Sequence, residues 1–324
     1  MGTLEAAWYR GAVWLWLLRP LEWLYRILTA LRRGAYGRGL IRAYRCDRPL
    51  VIVGNITVGG TGKTPVVIAL VEALKQRGLR PGVVSRGYGA TAHISAFPHQ
   101  VSLSSNASDC GDEPLLIYRR TGVPVVVAPR RAEAIKALLA NADIDVVISD
   151  DGLQHYAMAR DLEIAVIDAE RGLGNGFCLP AGPLREPKSR LKTVDRVIYR
   201  GGDVSDSSVT YQPQCWVNVS SGAMRPLDSF VDAATLAAIA GIGQPQQFFD
   251  TLTDLSIAAA QMVFPDHHDY SAEDFASLEG QTVLMTEKDA VKCASLAGDD
   301  AWFLRIDAVL PQSLIERVAE LAQR

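Results

Sequence analysis

Residues 51–64 read VIVGNITVGGTGKT. The apolar run 50–53 has strand character, glycines follow at 54, 59, 60 and 62, and Lys63-Thr64 open a segment of helical periodicity. Strand, glycine-rich loop and helix start, in that order, predict a phosphate-binding loop. Glycines let successive N–H groups curl around a polyphosphate, and the helix adds its free N-terminal donors. Lys63 is then expected on the outer phosphates and the Thr64 hydroxyl on magnesium. Pro65 suits the first helical turn, which can spare an N–H.

The strict form of this loop wants glycine where Thr57 stands. GGTGKT instead resembles the tail of a variant loop found in partitioning ATPases and several metabolite kinases, although Val58 replaces the lysine usual in many of them. The nucleotide is expected on Thr57, Val58, Gly59, Gly60, Thr61, Gly62, Lys63 and Thr64, with ATP and Mg²⁺ as cofactors.

Outward from the loop the pattern is α/β. Helices are predicted at 66–77 and 130–139, and strands at 81–85, 124–128, 145–149 and 164–168. Short, nearly continuous Val/Ile runs between helices predict a mostly parallel sheet covered on both faces. Ligands of such sheets bind beyond the carboxyl ends of the strands. Those ends carry SRGYG (85–89) and DVVISDDGLQH (145–155), and GDEP (111–114) marks a helix start where carboxylates also favour the dipole. Asp150 and Asp151 close an apolar strand and are the expected magnesium carboxylates, with His155 one turn beyond. The loop 172–187, GLGNGFCLPAGPLREP, adds Arg185 for an anion and Glu186 for the metal.

A chain of 324 residues that is 48% hydrophobic has enough apolar surface for one large core or two moderate ones, which excludes disorder. Its net charge of −3 hides an asymmetry, because residues 1–48 hold nine arginines and three acids. No nucleic-acid partner is expected. Five cysteines without a C-x-x-C pair indicate neither a disulfide framework nor zinc, and point to a reducing compartment.

The arginines share the N-terminus with four of the six tryptophans, at 8, 14, 16 and 23. Arg10, Arg19, Glu22 and Arg26 with Pro20 interrupt any membrane span, and no small-residue cleavage site follows. Arg19, Glu22, Arg26 and Arg33 fall on one helical arc, leaving Leu21, Leu24, Tyr25, Leu28 and Leu31 on other faces. The expectation is an amphipathic helix in the membrane interface with its arginines on anionic headgroups; a helix packed on the protein's own core is the alternative.

Beyond Tyr199 the texture changes. GGDVSDSS (201–208) has linker character and 209–220 the pattern of a ribbon strand. A second α/β run follows, with strands near 233–240 and 256–263, a helix from Gln246, and a strand ending at Thr286 before Lys288-Asp289. The expected organisation is an amphipathic segment 1–48, a phosphate-loop domain 49–200, a connector 201–222 and a smaller α/β lobe 223–324. His267 and His268 lie between two aspartates, a pattern suited to acid–base or orienting work rather than to metal binding.

Taken together, NITVGGTGKTP, SRGYG, GDEP, DDGLQH, GNGFCLPAGPLREP, FPDHHDY and TEKDAVK, in this order behind an amphipathic N-terminus, resemble the tetraacyldisaccharide 4′-kinases. The resemblance covers nearly the whole chain. It implies two α/β/α lobes joined by a two-stranded ribbon, and transfer of the ATP γ-phosphate to the 4′-hydroxyl of a lipid A disaccharide precursor at the cytoplasmic face of the inner membrane. By the same resemblance Asp112 is the catalytic aspartate, assisted by His267, and Lys63 serves the phosphates. Thr64, Asp150, Asp151 and Glu186 surround the metal. Tyr88, Arg130 or Arg131, His155 and Arg185 meet the phosphorylated sugar, and the TEKD residues lie near the nucleotide. The choice between His267 and His268 stays open, as does a membrane-associated switch ATPase of the partitioning type.

Overall fold

The computed structural model describes residues 3–89, 97–201 and 207–323. Its strands are β1 (Leu50–Gly54), β2 (Pro81–Ser85), β3 (His99–Gln100), β4 (Val125–Val127), β5 (Val146–Asp150), β6 (Leu162–Asp168), β7 (Arg196–Arg200), β8 (Ser208–Asn218), β9 (Met224–Arg225), β10 (Leu236–Ala240), β11 (Ala260–Val263), β12 (Thr282–Thr286) and β13 (Ala301–Val309). The α-helices are α1 (Thr3–Arg10), α2 (Arg19–Gly37), α3 (Lys63–Gln76), α4 (Ala107–Cys110), α5 (Asp112–Thr121), α6 (Arg131–Asn141), α7 (Pro245–Asp254), α8 (Ala272–Ala276), α9 (Glu287–Cys293) and α10 (Gln312–Ala322).

In the first lobe the strands lie in the order β3-β4-β2-β5-β1-β6-β7, parallel except for β3 at the edge. Alternate residues of β1 feed opposite layers. Val51 and Val53 pack in a core with α3 and α5, while Leu50 and Ile52 pack with α6. Burial on both faces explains why these strands are continuous apolar runs. Each fully buried Val, Leu or Ile contributes roughly 1.5–3 kcal/mol. The second lobe repeats the scheme with β13-β12-β10-β11 parallel, α7 on one face and α9 on the other.

The lobes share β8. Its first residues pair with β7, and from Thr210 to Asn218 it runs antiparallel to β13. This pair is the two-stranded ribbon, and the linker stretch 202–206 lies outside the described residues. Because β13 returns along the ribbon, α10 packs on α3, placing Leu314 and Val318 in the core of Val66 and Leu70. The packing therefore departs from the expected 223–324 boundary, since the last helix belongs to the first lobe's core.

The N-terminal segment inverts the usual amphipathic arrangement. Glu22 is only 1% exposed; it pairs with Arg19 at 2.6 Å and accepts the Cys178 N–H at 3.1 Å. The Arg19 guanidinium lies 3.9 Å from the Phe177 ring centroid, the Tyr25 hydroxyl donates to the Arg185 carbonyl at 2.8 Å, and Arg33 approaches Glu186. Arg19 and Glu22 of the polar arc thus dock on the loop 172–187, as the packed-helix alternative expects, while the Arg26 and Arg33 side chains stay 46% and 40% exposed. Leu21, Leu24, Ile27, Leu28 and Leu31 point outward, continuing Trp14, Trp16 and Leu17, with Trp16 62% and Leu31 65% exposed. Upstream, Ala7, Trp8 and Leu15 are buried against Val58 and Leu179. No helix among the described residues is long and apolar enough to cross a membrane.

Candidate active site

The loop after β1 delivers Lys63 and Thr64 at the start of α3. Gly62 caps that helix with φ 77°, a left-handed conformation suited to glycine, and a Cβ there would stand 2.4 Å from the Tyr211 hydroxyl. The Tyr211 O–H donates to the Gly62 carbonyl, so the ribbon braces the loop. From the second lobe, Gln244 Nε2 donates to the Gly60 carbonyl at 2.6 Å and to Asp168 Oδ2 at 3.1 Å. Both lobes therefore hold the loop.

Strand β5 ends at Asp150, which accepts from the Ser85 hydroxyl at 3.4 Å. Asp151 follows with φ 46° and faces Lys63 Nζ at 3.4 Å and Arg185 Nη1 at 2.9 Å. Burial, then the charges of Glu113 and Asp151, push the Asp150 carboxyl up to about 7, and its Oδ1 has no hydrogen-bond partner. The buried Asn55 Oδ1 and Thr61 Oγ1 also lack partners. Orphaned polar atoms around a phosphate loop fit a site completed by phosphate oxygens, a cation and water. Glu186 is different. Gln154 donates to it at 3.0 Å, Tyr156 donates to its other oxygen, and Arg190 Nε stands 3.3 Å away. Its oxygens are occupied in holding the 172–187 loop, so the arrangement gives no support to Glu186 as a metal ligand. Among the described residues no three His, Cys, Asp or Glu side chains form a metal-holding group.

Asp112 begins α5 and is 4% exposed. Its Oδ2 lies 2.9 Å from His267 Nδ1, and its Oδ1 accepts the Glu113 N–H at 2.9 Å. His267 sits after β11 with φ 60° and edges against the Tyr88 ring at 5.1 Å. His268 turns away, stacked on Phe264 and bonded to Asp274. Gly111 has φ 90°, and a Cβ there would lie 2.5 Å from the Tyr88 carbonyl, so glycine lets the SRGYG and GDEP loops meet.

Lys288 completes the cluster. Its Nζ is 3.6 Å from Asp112, 3.4 Å from Glu113 and 3.3 Å from Asp266. Burial alone would depress the ammonium, yet the three carboxylates hold it well above its ordinary value. Burial alone would likewise raise Asp112, but the His267 hydrogen bond and Lys288 bring it down to about 2. The bond to Asp112 raises His267 against the effect of burial. An ionised carboxylate only accepts, so Nδ1 carries the hydrogen and Nε2 keeps the lone pair of the neutral ring. Nε2 lies 3.9 Å from Asp266, too far for a hydrogen bond. The imidazole thus presents Nε2 as a basic atom beside the carboxylate that holds its ring.

Sequence reasoning put TEKD near the nucleotide and missed the Lys288 contacts. Glu287 instead pairs with Arg120 of α5 at 2.7 Å, clamping the lobes, and Asp289 accepts the Gly241 N–H at 3.0 Å to hold the turn that presents Gln244. Of the two adjacent arginines, Arg131 is buried and donates to the Asp150 carbonyl at 3.0 Å, whereas Arg130 lies on the surface beside Glu133.

The family model for tetraacyldisaccharide-1-P 4′-kinase, LpxK, matches residues 14–323. The chain belongs to that family. It is 51% identical over 309 residues to the tetraacyldisaccharide 4′-kinase of Pseudomonas aeruginosa PAO1, covering 94% of this chain and 92% of that protein. Against the Hahella chejuensis 4′-kinase it is 48% identical over 325 residues, with 97% and 95% covered. The crystal structure of Aquifex aeolicus LpxK in complex with ATP superposes with a TM-score of 0.78 at 28% identity, spanning 96% of this chain and 98% of that one. As a member of the 4′-kinase family the chain is a phosphotransferase with the family's two-lobed α/β architecture.

Proposed function

We propose that the chain transfers the γ-phosphate of ATP to the 4′-hydroxyl of tetraacyldisaccharide 1-phosphate, using His267 as general base. The carrying observation is a phosphate loop from the first lobe and, next to it, a carboxylate–imidazole pair made by both lobes, with Gly243 lying against both the Gly60 nitrogen and Asp266. Phosphoryl transfer needs charge neutralisation and alignment more than covalent help. Lys63 and the loop N–H groups serve the polyphosphate, and Thr64 and Asp150 would hold Mg²⁺, which neutralises charge on the phosphates when bound. A sugar hydroxyl is a weak nucleophile, and His267 Nε2 accepts its proton as the bond to phosphorus forms. Asp112 keeps the ring in the right tautomer and stabilises the imidazolium, and Lys288 sets the charge of that pair. Membership of the kinase family removes the reason to prefer a switch ATPase.

The membrane role rests on the outward apolar face of α2 and the turn before it. A substrate with four acyl chains stays in the bilayer, because exposing each CH₂ costs roughly 0.8 kcal/mol. A helix that turns its charged arc to the protein and its leucines outward suits an enzyme resting on the cytoplasmic face of the inner membrane.

The test is mass spectrometry of the lipid after incubation with ATP and Mg²⁺ in detergent micelles. One added phosphate on the distal sugar supports the reading. Unmodified lipid alongside free inorganic phosphate would replace it with an ATPase.

A further inference from the structure

The turn 241–244 of the second lobe, between β10 and α7, reaches across to the phosphate loop and ends on a buried glutamine. The Gln244 amide is engaged at both ends. Its Nε2 donates to the Gly60 carbonyl at 2.6 Å and to Asp168 Oδ2 at 3.1 Å, while its Oε1 accepts from Gln247 Nε2 at 2.6 Å. A carbonyl can only accept, so the group facing Gly60 has to be a donor. Asp168 is fixed in its turn. It closes β6, is buried, and takes the Glu170 and Arg171 N–H groups on Oδ1 at 3.1 Å each.

What this contact does follows from the peptide group. In a trans peptide the C=O and the N–H of the next residue point in opposite directions. The bonds between Gly60 and Thr61 and between Gly62 and Lys63 are both trans. Holding the Gly60 carbonyl from outside therefore turns the Thr61 N–H away from Gln244, and the Tyr211 hydroxyl does the same for the Lys63 N–H through the Gly62 carbonyl. Glycine leaves these peptide planes free to rotate, so an anchor outside the loop sets them before an anion arrives. Neither anchor belongs to the loop: Tyr211 lies on the ribbon and Gln244 in the second lobe.

We propose that Gln244 is a positioning residue for phosphoryl transfer, which holds the Gly60 carbonyl from the second lobe and so aims the Thr61 N–H at the polyphosphate. The same turn continues toward the base. A Cβ on Gly243 would stand 3.2 Å from the Gly60 nitrogen and 3.3 Å from Asp266 Oδ2, and Asp266 accepts the His267 N–H at 3.1 Å. One turn thus sets the phosphate loop and the imidazole in a common frame. This inference rests on ATP as the ligand of the loop, as assigned above.

The experiment measures equilibrium binding of ATP with Mg²⁺ in the absence of lipid, then steady-state kinetics in micelles. The parent, Gln244→Met, Gln244→Glu and Gln246→Ala are compared. Methionine removes the donor at similar length, glutamate sets a carboxylate against the Gly60 carbonyl, and Gln246 is an exposed neighbour beside Asp250 that serves as control. Gln244→Met is expected to weaken ATP binding roughly three- to tenfold, and Gln244→Glu more. The KM for ATP rises in step, while the KM for the lipid and the acid limb of kcat/KM stay at the parent's values. Gln246→Ala binds ATP as the parent does. Should Gln244→Glu fail to fold, Gln244→Met carries the test alone. Unchanged ATP binding in Gln244→Met overturns the inference. So does a rise in both KM values together with a lower melting temperature, which would make Gln244 a structural contact only. A parent that does not bind ATP defeats the ligand assigned to the loop, and the inference with it.

Discussion

His267 Nδ1 and Asp112 Oδ2 lie 2.9 Å apart although 155 positions separate them in the chain. The carboxylate starts a helix of the first lobe and the imidazole hangs from the second, so the basic atom is assembled only when the lobes meet. His267→Ala should lower kcat by about 10² to 10⁴, the usual worth of a general base, with little change in the KM for ATP. Steady-state kinetics in micelles checks this.

The pH dependence follows from the same bond. Asp112 raises His267 above 6.5, and the base form is the neutral ring, so kcat/KM should fall on the acid side with an apparent pKa above 6.5. In Asp112→Asn that limb moves to lower pH while the rate drops. For stability the sign is opposite: the raised pKa stabilises the fold below pH 6.5, and this contribution fades as pH rises through the folded value. His267→Ala should therefore destabilise more near pH 5 than near pH 8, as read by thermal melts.

Lys288 lowers the His267 pKa by its charge, and it keeps three carboxylates from repelling one another. Lys288→Met should move the acid limb of kcat/KM to higher pH and cost about 3–5 kcal/mol of stability at neutral pH. Lys288→Arg should restore the limb. A pH profile and denaturant melts on both variants test the assignment.

Removing the whole N-terminal segment is a poor probe, because Trp8 donates to the Pro180 carbonyl and Glu5 pairs with Arg171 close to the phosphate loop. Replacing Leu21, Leu24, Leu28 and Leu31 with serine touches only the outward face. Each change should alter stability by within about 0.5 kcal/mol, while vesicle binding and turnover of micellar lipid fall together. Vesicle flotation and ATP affinity, measured side by side, separate the two effects.

The fold was legible where burial is complete. Strands 81–85 and 164–168 read as short Val/Ile-centred segments because both faces are covered, and the structure has them at Pro81–Ser85 and Leu162–Asp168. Strand β7 was missed because RVIYR carries an arginine at each end and is only partly buried. The return of α10 to the first lobe was hidden, since its amphipathic pattern marks a covered face without naming the partner. In the site, glycines and strand-end acids announced the phosphate loop and Asp150. The Lys288 cluster and the partnering of Glu186 depend on contacts between distant segments, which local patterns do not encode.

The most direct test follows γ-phosphate-labelled ATP incubated with tetraacyldisaccharide 1-phosphate, using the parent, Lys63→Ala and His267→Ala. The account predicts label on the lipid with the parent, little with Lys63→Ala because the nucleotide is lost, and little with His267→Ala although ATP still binds. Full labelling by His267→Ala, or parent label found only as inorganic phosphate, would contradict it.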